Sequence, residues 1–186
     1  MPNSTKNQKI GPACCVDRLA YFHYYAGDKM KKALFLFFVL ICSPVWAGES
    51  FVQKEFYVPE NPKTVSDWLK QHPKDIAEST GCEWISKNGD KVRLKQDTDR
   101  GLMDFTVKET YTEKGSVYGY NSKLVEVHRG TLEDQATSFR LEPHRSGTLI
   151  TVKMSAAVSN ANAPAIRIGL NKSARGFQRL VEERFR

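Results

Sequence analysis

Two tyrosines and one histidine are the residues whose types and spacing could support chemistry in this sequence. Tyr118 and Tyr120 stand two positions apart in an otherwise apolar segment, so in a strand both phenols would face the same side. A buried phenol needs a hydrogen-bonding partner, and a few polar groups in an apolar pocket orient a ligand. His128, at the end of the same segment, is expected at the mouth of such a pocket.

The sequence contains none of the common motifs for nucleotide hydrolysis, serine hydrolysis or zinc proteolysis, which are G-x-x-x-x-G-K-[ST], G-x-S-x-G and H-E-x-x-H. Asp97, Asp99 and Asp104 lie close together. A calcium loop starting at Asp97 would need Gly at position six and Glu at position twelve, where Leu102 and Lys108 stand. We therefore predict no catalytic residue, no metal site and no cofactor.

The segment 30–47 has the order of a secretory signal peptide. Lys31 and Lys32 precede an unbroken apolar run over residues 33–42, and the small residues Val45 and Ala47 fit the positions that signal peptidase reads. The run is shorter than the roughly 20 residues that span a bilayer, so an uncleaved anchor is the lesser alternative. We expect cleavage after Ala47 and a periplasmic or secreted protein.

The chain has 186 residues and a formal net charge of +7. Residues 1–29 precede the leader and are expected to be an unstructured, over-long start of the reading frame. Residues 48–186 form the predicted domain, which carries 22 Lys and Arg against 19 Asp and Glu. This small excess does not favour nucleic-acid binding, which usually requires a strongly basic domain. Cys82 is the one cysteine of the domain, so no internal disulfide is expected.

Alternating apolar and polar residues predict strands with one dry face and one wet face. Phe105 and Val107, for example, alternate with Asp104, Thr106 and Lys108. The dry face could enclose a ligand cavity or be fully packed. The residues that we expect to line the cavity are Phe105, Val107, Tyr118, Tyr120, His128, Phe139, Leu141, Val152, Met154 and Phe177.

The order of elements predicts an α+β domain. One strand comes first, and two short helices interrupted at His72-Pro73 follow it. Six strands joined by tight turns come next. The dipeptide Asn88-Gly89 predicts a two-residue type I′ turn, which would place Ile85 opposite Val92 and Trp84 opposite Arg93, with the guanidinium stacked on the indole.

The last element is predicted to be a long amphipathic helix. Asn162 is its expected N-cap, and Pro164 lies in the first turn. An apolar stripe at steps of three and four residues would lie on the sheet, with Phe177 near its middle. The residues of this stripe are Ile166, Leu170, Ala174, Phe177, Val181 and Phe185.

Residues 51–186 resemble the helix-grip fold of the START-like, SRPBCC superfamily, which includes polyketide cyclases. The resemblance rests on the order of elements, the Asn88-Gly89 hairpin, the strand pair 138–143 and 147–154, and the terminal helix. It implies a seven-stranded curved antiparallel sheet wrapped around the long C-terminal helix, with a cavity for a lipid or other apolar molecule between them. The superfamily has no universal catalytic motif, so the resemblance assigns no catalytic residue.

The leading hypothesis is an exported, non-catalytic, monomeric protein that binds an apolar or amphipathic small molecule. One alternative is a cyclase-like or dehydratase-like enzyme in which Tyr118, Tyr120 or His128 moves a proton. Another is an envelope module that binds a partner protein. The basic residues Lys172, Arg175 and Arg179 on the helix could make a weak contact with an anionic membrane surface, and a solvated helix face is the alternative interpretation.

Overall fold

The computed structural model describes residues 48–99, 101–159 and 161–186. The predicted leader, residues 30–47, and the preceding residues 1–29 lie outside these ranges. The strands are β1 (Gly48–Val58), β2 (Glu83–Asn88), β3 (Lys91–Thr98), β4 (Gly101–Lys114), β5 (Val117–Arg129), β6 (Leu132–His144) and β7 (Gly147–Val158). The helices are α1 (Pro62–Gln71), α2 (Pro73–Ser79) and α3 (Ala163–Arg184).

The seven strands form one antiparallel sheet in the order β1-β7-β6-β5-β4-β3-β2. Strands β2 to β7 follow one another as a meander, and β1 pairs along the whole length of β7, from Gly48 opposite Val158 to Val58 opposite Thr148. Helices α1 and α2 connect β1 at one edge of the sheet to β2 at the other. This architecture confirms the predicted α+β helix-grip fold, with two short helices after the first strand and a long C-terminal helix.

The β2–β3 hairpin is confirmed, but its predicted register is wrong. Asn88 pairs with Lys91, so the turn residues are Gly89 and Asp90. Gly89 has a φ of 61°. A bulge at Ile85 then shifts the register and places Trp84 opposite Leu94. The extra residue in one strand reverses which face the following side chains occupy, and counting by two from the turn cannot detect it.

Arg93 therefore does not lie opposite Trp84. Its guanidinium donates two hydrogen bonds of 2.8 Å to the Asp104 carboxylate on β4. This bidentate pair lowers the pKa of Asp104, because the hydrogen bonds from Arg93 favour the charged carboxylate.

Each of the two longer helices begins at the expected type of cap. The Asn61 side chain accepts a hydrogen bond from the Thr64 N–H at 2.9 Å, and the Asn162 side chain accepts one from the Ala165 N–H at 2.9 Å. Both caps are followed by a proline in the first turn. Such caps satisfy backbone donors that a helix start leaves without partners.

The C-terminal half of α3 packs against the sheet through the predicted stripe. The Phe177 side chain is fully buried and stacks on Phe139 of β6, with ring centroids 4.1 Å apart and planes 12° apart. Phe56 of β1 meets the edge of the Phe177 ring at 6.2 Å. Ala174 and Val181 belong to the same cluster of buried residues. We call this cluster, which also contains Tyr118, Leu141 and Val152, the packed core.

Helix α2 contacts α3 at a glycine. A Cβ atom at Gly176 would overlap the Ser79 carbonyl oxygen. One turn away, the Ser173 hydroxyl donates a 2.7 Å hydrogen bond to the Thr80 carbonyl oxygen. The close approach of the two helices therefore depends on the missing side chain at position 176.

Replacing Phe177 with alanine tests the orientation of α3. The ring is packed on both sides, so we expect Phe177→Ala to lower the free energy of unfolding by about 3–5 kcal/mol. Arg175→Ala, at an exposed position two residues away, should change it by about 0.5 kcal/mol or less. Denaturant titration of both variants measures the difference, and equal losses would contradict this orientation.

Two glycine substitutions in α3 should have opposite signs. A Cβ atom at Gly169 would meet open space, so Gly169→Ala should stabilise the protein by about 1 kcal/mol through helix propensity. Gly176→Ala should destabilise it by about 1–3 kcal/mol, because the new methyl group collides with Ser79. Thermal and denaturant unfolding report both values, and stabilisation by both substitutions would show that α2 and α3 are not in close contact.

Candidate functional site

A cavity of about 770 Å³ lies between the concave face of the sheet and the helices. Its walls include Ile76 of α2, Ile166 and Leu170 of α3, and Leu94 and Ala156 of the sheet. The N-terminal half of α3 lines the cavity, whereas the C-terminal half belongs to the packed core. The domain thus has a filled end and a hollow end along the same helix.

The cavity reaches solvent. Exposed residues of its outer part include Asp99 in the β3–β4 turn and Ile168 on α3, which is 72% exposed. Lys172, also on the lining, is exposed together with Arg175 on the next turn. Contact of these basic side chains with an anionic membrane surface stays a prediction.

Five of the ten predicted cavity residues line the cavity: Phe105, Val107, Tyr120, Phe139 and Met154. The next four predicted residues lie in the packed core. Tyr118, Leu141 and Val152 are on the same face of the sheet as the cavity wall, and Phe177 of α3 packs against that face. Alternation along the strands identified the face correctly. It could not distinguish the packed end of that face from the hollow end.

His128 does not line the cavity, so its predicted position at the cavity mouth is wrong. Its Nε2 atom is 2.8 Å from the Thr106 hydroxyl, and its Nδ1 atom is 3.5 Å from a Glu126 carboxylate oxygen. Thr106 alternates with cavity-lining Phe105 and Val107, so these contacts lie on the opposite face of the sheet. Strand β5 carries an unpaired residue, Val125, between the partners of Thr106 and Val107. This bulge reverses the alternation that starts at Tyr118.

A polar row crosses the apolar wall of the cavity. Glu109 on β4 pairs with Ser122 on β5, and Ser122 pairs with Thr137 on β6. All three residues line the cavity. Directly paired residues have neighbouring side chains, so the row forms one continuous polar strip. We call Glu109, Ser122 and Thr137 the polar row.

The Glu109 carboxylate lies at the β4 end of this strip. Its side chain is only 5% exposed. One oxygen accepts a 3.0 Å hydrogen bond from the Tyr120 hydroxyl, and the other accepts a 2.7 Å hydrogen bond from the Lys87 ammonium. Burial of a charged carboxylate is unfavourable unless hydrogen bonds and an opposite charge replace its contacts with water, and Tyr120 and Lys87 supply these. Sequence reasoning missed Glu109, although the alternation of Met103, Phe105 and Val107 extends to it.

Tyr120 is held by ring contacts on both sides of its phenol. Its ring stacks on Phe139 with centroids 5.0 Å apart, and Tyr111 lies 5.2 Å away. Burial, and then the nearby Glu109 carboxylate, raise the pKa of Tyr120 far above its ordinary value. Burial also raises the pKa of Tyr111 to about 12. Both phenols therefore stay protonated at neutral pH.

Two further polar side chains face the cavity. The Gln135 Oε1 atom is buried and has no hydrogen-bond partner within the described chain. Cys82 has a free thiol whose pKa burial raises to about 11, against the opposing effect of a hydrogen bond with Thr80. A thiol with this pKa is a weak nucleophile at neutral pH.

Within the described ranges, no group of three His, Cys, Asp or Glu side chains is arranged to hold a metal ion. None of the described helices is long and apolar enough to cross a membrane.

Comparisons with known proteins identify the fold through structure alone. No protein-family model matches the sequence, and no curated protein matches it. A START superfamily protein from Mycobacterium smegmatis shares 15% identity and a TM-score of 0.56, over 73% of this chain and 96% of the other. The Zhui aromatase/cyclase from Streptomyces sp. R1128 shares 12% identity and a TM-score of 0.52, over 73% and 93%. Ara h 8.0201 shares 15% identity and a TM-score of 0.52, over 74% and 98%.

These similarities cover nearly the whole of each solved structure and the described domain of this chain. At 12–15% identity they show a common fold, and they do not assign a ligand or a reaction. The domain has the helix-grip fold of START-like proteins.

Proposed function

We propose that the protein binds an apolar or amphipathic small molecule in the cavity between its sheet and α3. The observation that carries this proposal is the cavity of about 770 Å³, which is bounded by Leu94, Phe105, Ala156, Ile166 and other apolar residues and is crossed by the polar row. Ligand sites typically have volumes of about 300–1,000 Å³ and a few polar groups that set orientation.

Burial of hydrocarbon would supply the affinity. Each methylene group removed from water contributes about 0.8 kcal/mol, so a ten-carbon chain would contribute about 8 kcal/mol before the costs of association. The packed core holds α3 in place without the ligand, because Phe177 and Val181 are fully buried in the protein alone. The binding site is therefore preformed, and little of this energy is spent on ordering the helix.

An enzyme of the cyclase or dehydratase type is the second candidate. The observation in its favour is the Tyr120–Glu109 hydrogen bond inside the cavity. Of the three residues expected to move a proton, Tyr120 alone lines the cavity, since Tyr118 belongs to the packed core and His128 lies on the other face. The raised pKa of Tyr120 would keep its phenol protonated at neutral pH, so it would not act as a base.

We also propose that the protein is exported, with cleavage after Ala47. The sequence features that support this assignment are Lys31 and Lys32 before the apolar run 33–42, and Val45 and Ala47 at the positions that signal peptidase reads. Intact-mass measurement of envelope and cytosolic fractions should find a chain that starts at Gly48 in the envelope. Peptides from residues 3–28 in any fraction would contradict the assignment of residues 1–29 as a mis-assigned start.

Filling the cavity with a larger side chain should weaken ligand binding. Ala156 lines the cavity, and its neighbour Ala157 faces the opposite side of β7. We expect Ala156→Phe to weaken binding of the neutral fluorescent probe N-phenyl-1-naphthylamine by about tenfold or more, because the ring occupies ligand volume. Ala157→Phe is the matched control and should leave probe binding unchanged.

Native mass spectrometry of protein purified from its own envelope tests the same proposal without a chosen probe. A copurified apolar molecule would support it, and loss of that molecule in the Ala156→Phe variant would place it in the cavity. Failure of the unaltered protein to bind any copurified molecule or the probe would overturn the proposal.

A further inference from the structure

The polar row exposes negative charge to the cavity and keeps its positive partner outside. Glu109 lines the cavity, whereas Lys87, which pairs with it at 2.7 Å, does not. The Lys87 side chain is 37% exposed, so water stabilises its charge. A ligand in the cavity therefore meets the carboxylate before it meets the ammonium.

Two further hydrogen-bond acceptors lie in this region. The Tyr120 hydroxyl gives its proton to Glu109, so its oxygen presents lone pairs. The Gln135 Oε1 atom, on the same wall of the cavity, is a buried acceptor without a partner in the described part of the chain. An acceptor buried without a partner is unfavourable, and a bound donor would relieve that cost.

We propose that the ligand is an uncharged amphiphile whose polar end donates a hydrogen bond, as the hydroxyl of a long-chain alcohol does. The apolar chain lies between Phe105, Ala156 and Ile166, and the hydroxyl contacts the acceptors around Glu109. This inference rests on the proposed function of ligand binding and adds the chemical class of the ligand.

The same arrangement selects against charged amphiphiles. A fatty-acid anion would place a second carboxylate beside Glu109 in a site of low dielectric, where repulsion between like charges is strong. An alkylammonium would meet a carboxylate that Lys87 already balances, so one positive charge would remain uncompensated in apolar surroundings.

Three twelve-carbon probes that differ only in the polar end test the inference. Dodecanol, dodecanoate and dodecylammonium compete with N-phenyl-1-naphthylamine for the full-length protein at pH 7.5, below their aggregation concentrations. We expect dodecanol to displace the probe at about tenfold lower concentration than either charged compound, the factor that one hydrogen bond to a charged group commonly supplies.

Two variants connect this selectivity to the named residues. Glu109→Gln keeps the shape of the side chain and removes its charge, so the preference for dodecanol over dodecanoate should fall to about threefold or less. Glu113→Gln, the same substitution at an exposed position of β4 that does not line the cavity, should keep the full preference. Tyr120→Phe retains the stacked ring and loses one acceptor, so it should weaken dodecanol binding more than probe binding.

The outcomes separate the inference from the proposed function. Equal or tighter binding of dodecanoate or dodecylammonium, with normal probe binding, would overturn the inference and leave apolar ligand binding intact. An unchanged preference in both Glu109→Gln and Tyr120→Phe would also overturn it. Failure of the unaltered protein to bind the probe and all three compounds would overturn the proposed function and the inference with it.

Discussion

The stack of Phe177 on Phe139 is the contact on which the rest of the structure depends. A helix laid across a curved sheet can slide or rotate unless one part of it is fixed by close packing. Here the two rings, 4.1 Å apart and nearly parallel, fix the C-terminal half of α3, and the edge of Phe56 limits rotation of the Phe177 ring. The N-cap at Asn162 determines where the other end begins.

Once that half is fixed, the helix can span a space without collapsing into it. Ala174, Phe177 and Val181 supply the packing, whereas Ile166 and Leu170 form the roof of the cavity. Leu170 packs against the packed core and also against the buried residues around the cavity, such as Phe105 and Ile166, so it joins the two ends of the domain. A cavity lowers stability because its walls lose contacts, and the fully packed end offsets that loss. Close packing and the cavity are thus assigned to different halves of one helix.

The polar row shows that a strand can place a polar side chain in the cavity while its other inward-facing residues stay apolar. Glu109 occupies an inward position that follows Phe105 and Val107 in the same alternation, and it is retained there by Tyr120 and Lys87 from two other strands. Both of these partners reach it across the sheet, so the carboxylate depends on strand register. In a helix-grip domain the sheet therefore both forms the wall of the cavity and assembles its polar groups.

The sequence by itself determined the fold class, the order of elements, the N-cap of α3 and the apolar face of strands such as β4 and β7, because these follow from local periodicity and from the chemistry of Asn162. Only the tertiary structure decided which apolar residues are packed and which surround the cavity, since Phe105 and Val152 alternate with polar residues in the same way, yet Phe105 lines the cavity and Val152 lies in the packed core. The position of His128 and the pairing of Trp84 were likewise decided by bulges, each of which adds one residue to a strand and reverses its faces. A bulge depends on how two strands pair, so the sequence of one strand alone does not reveal it.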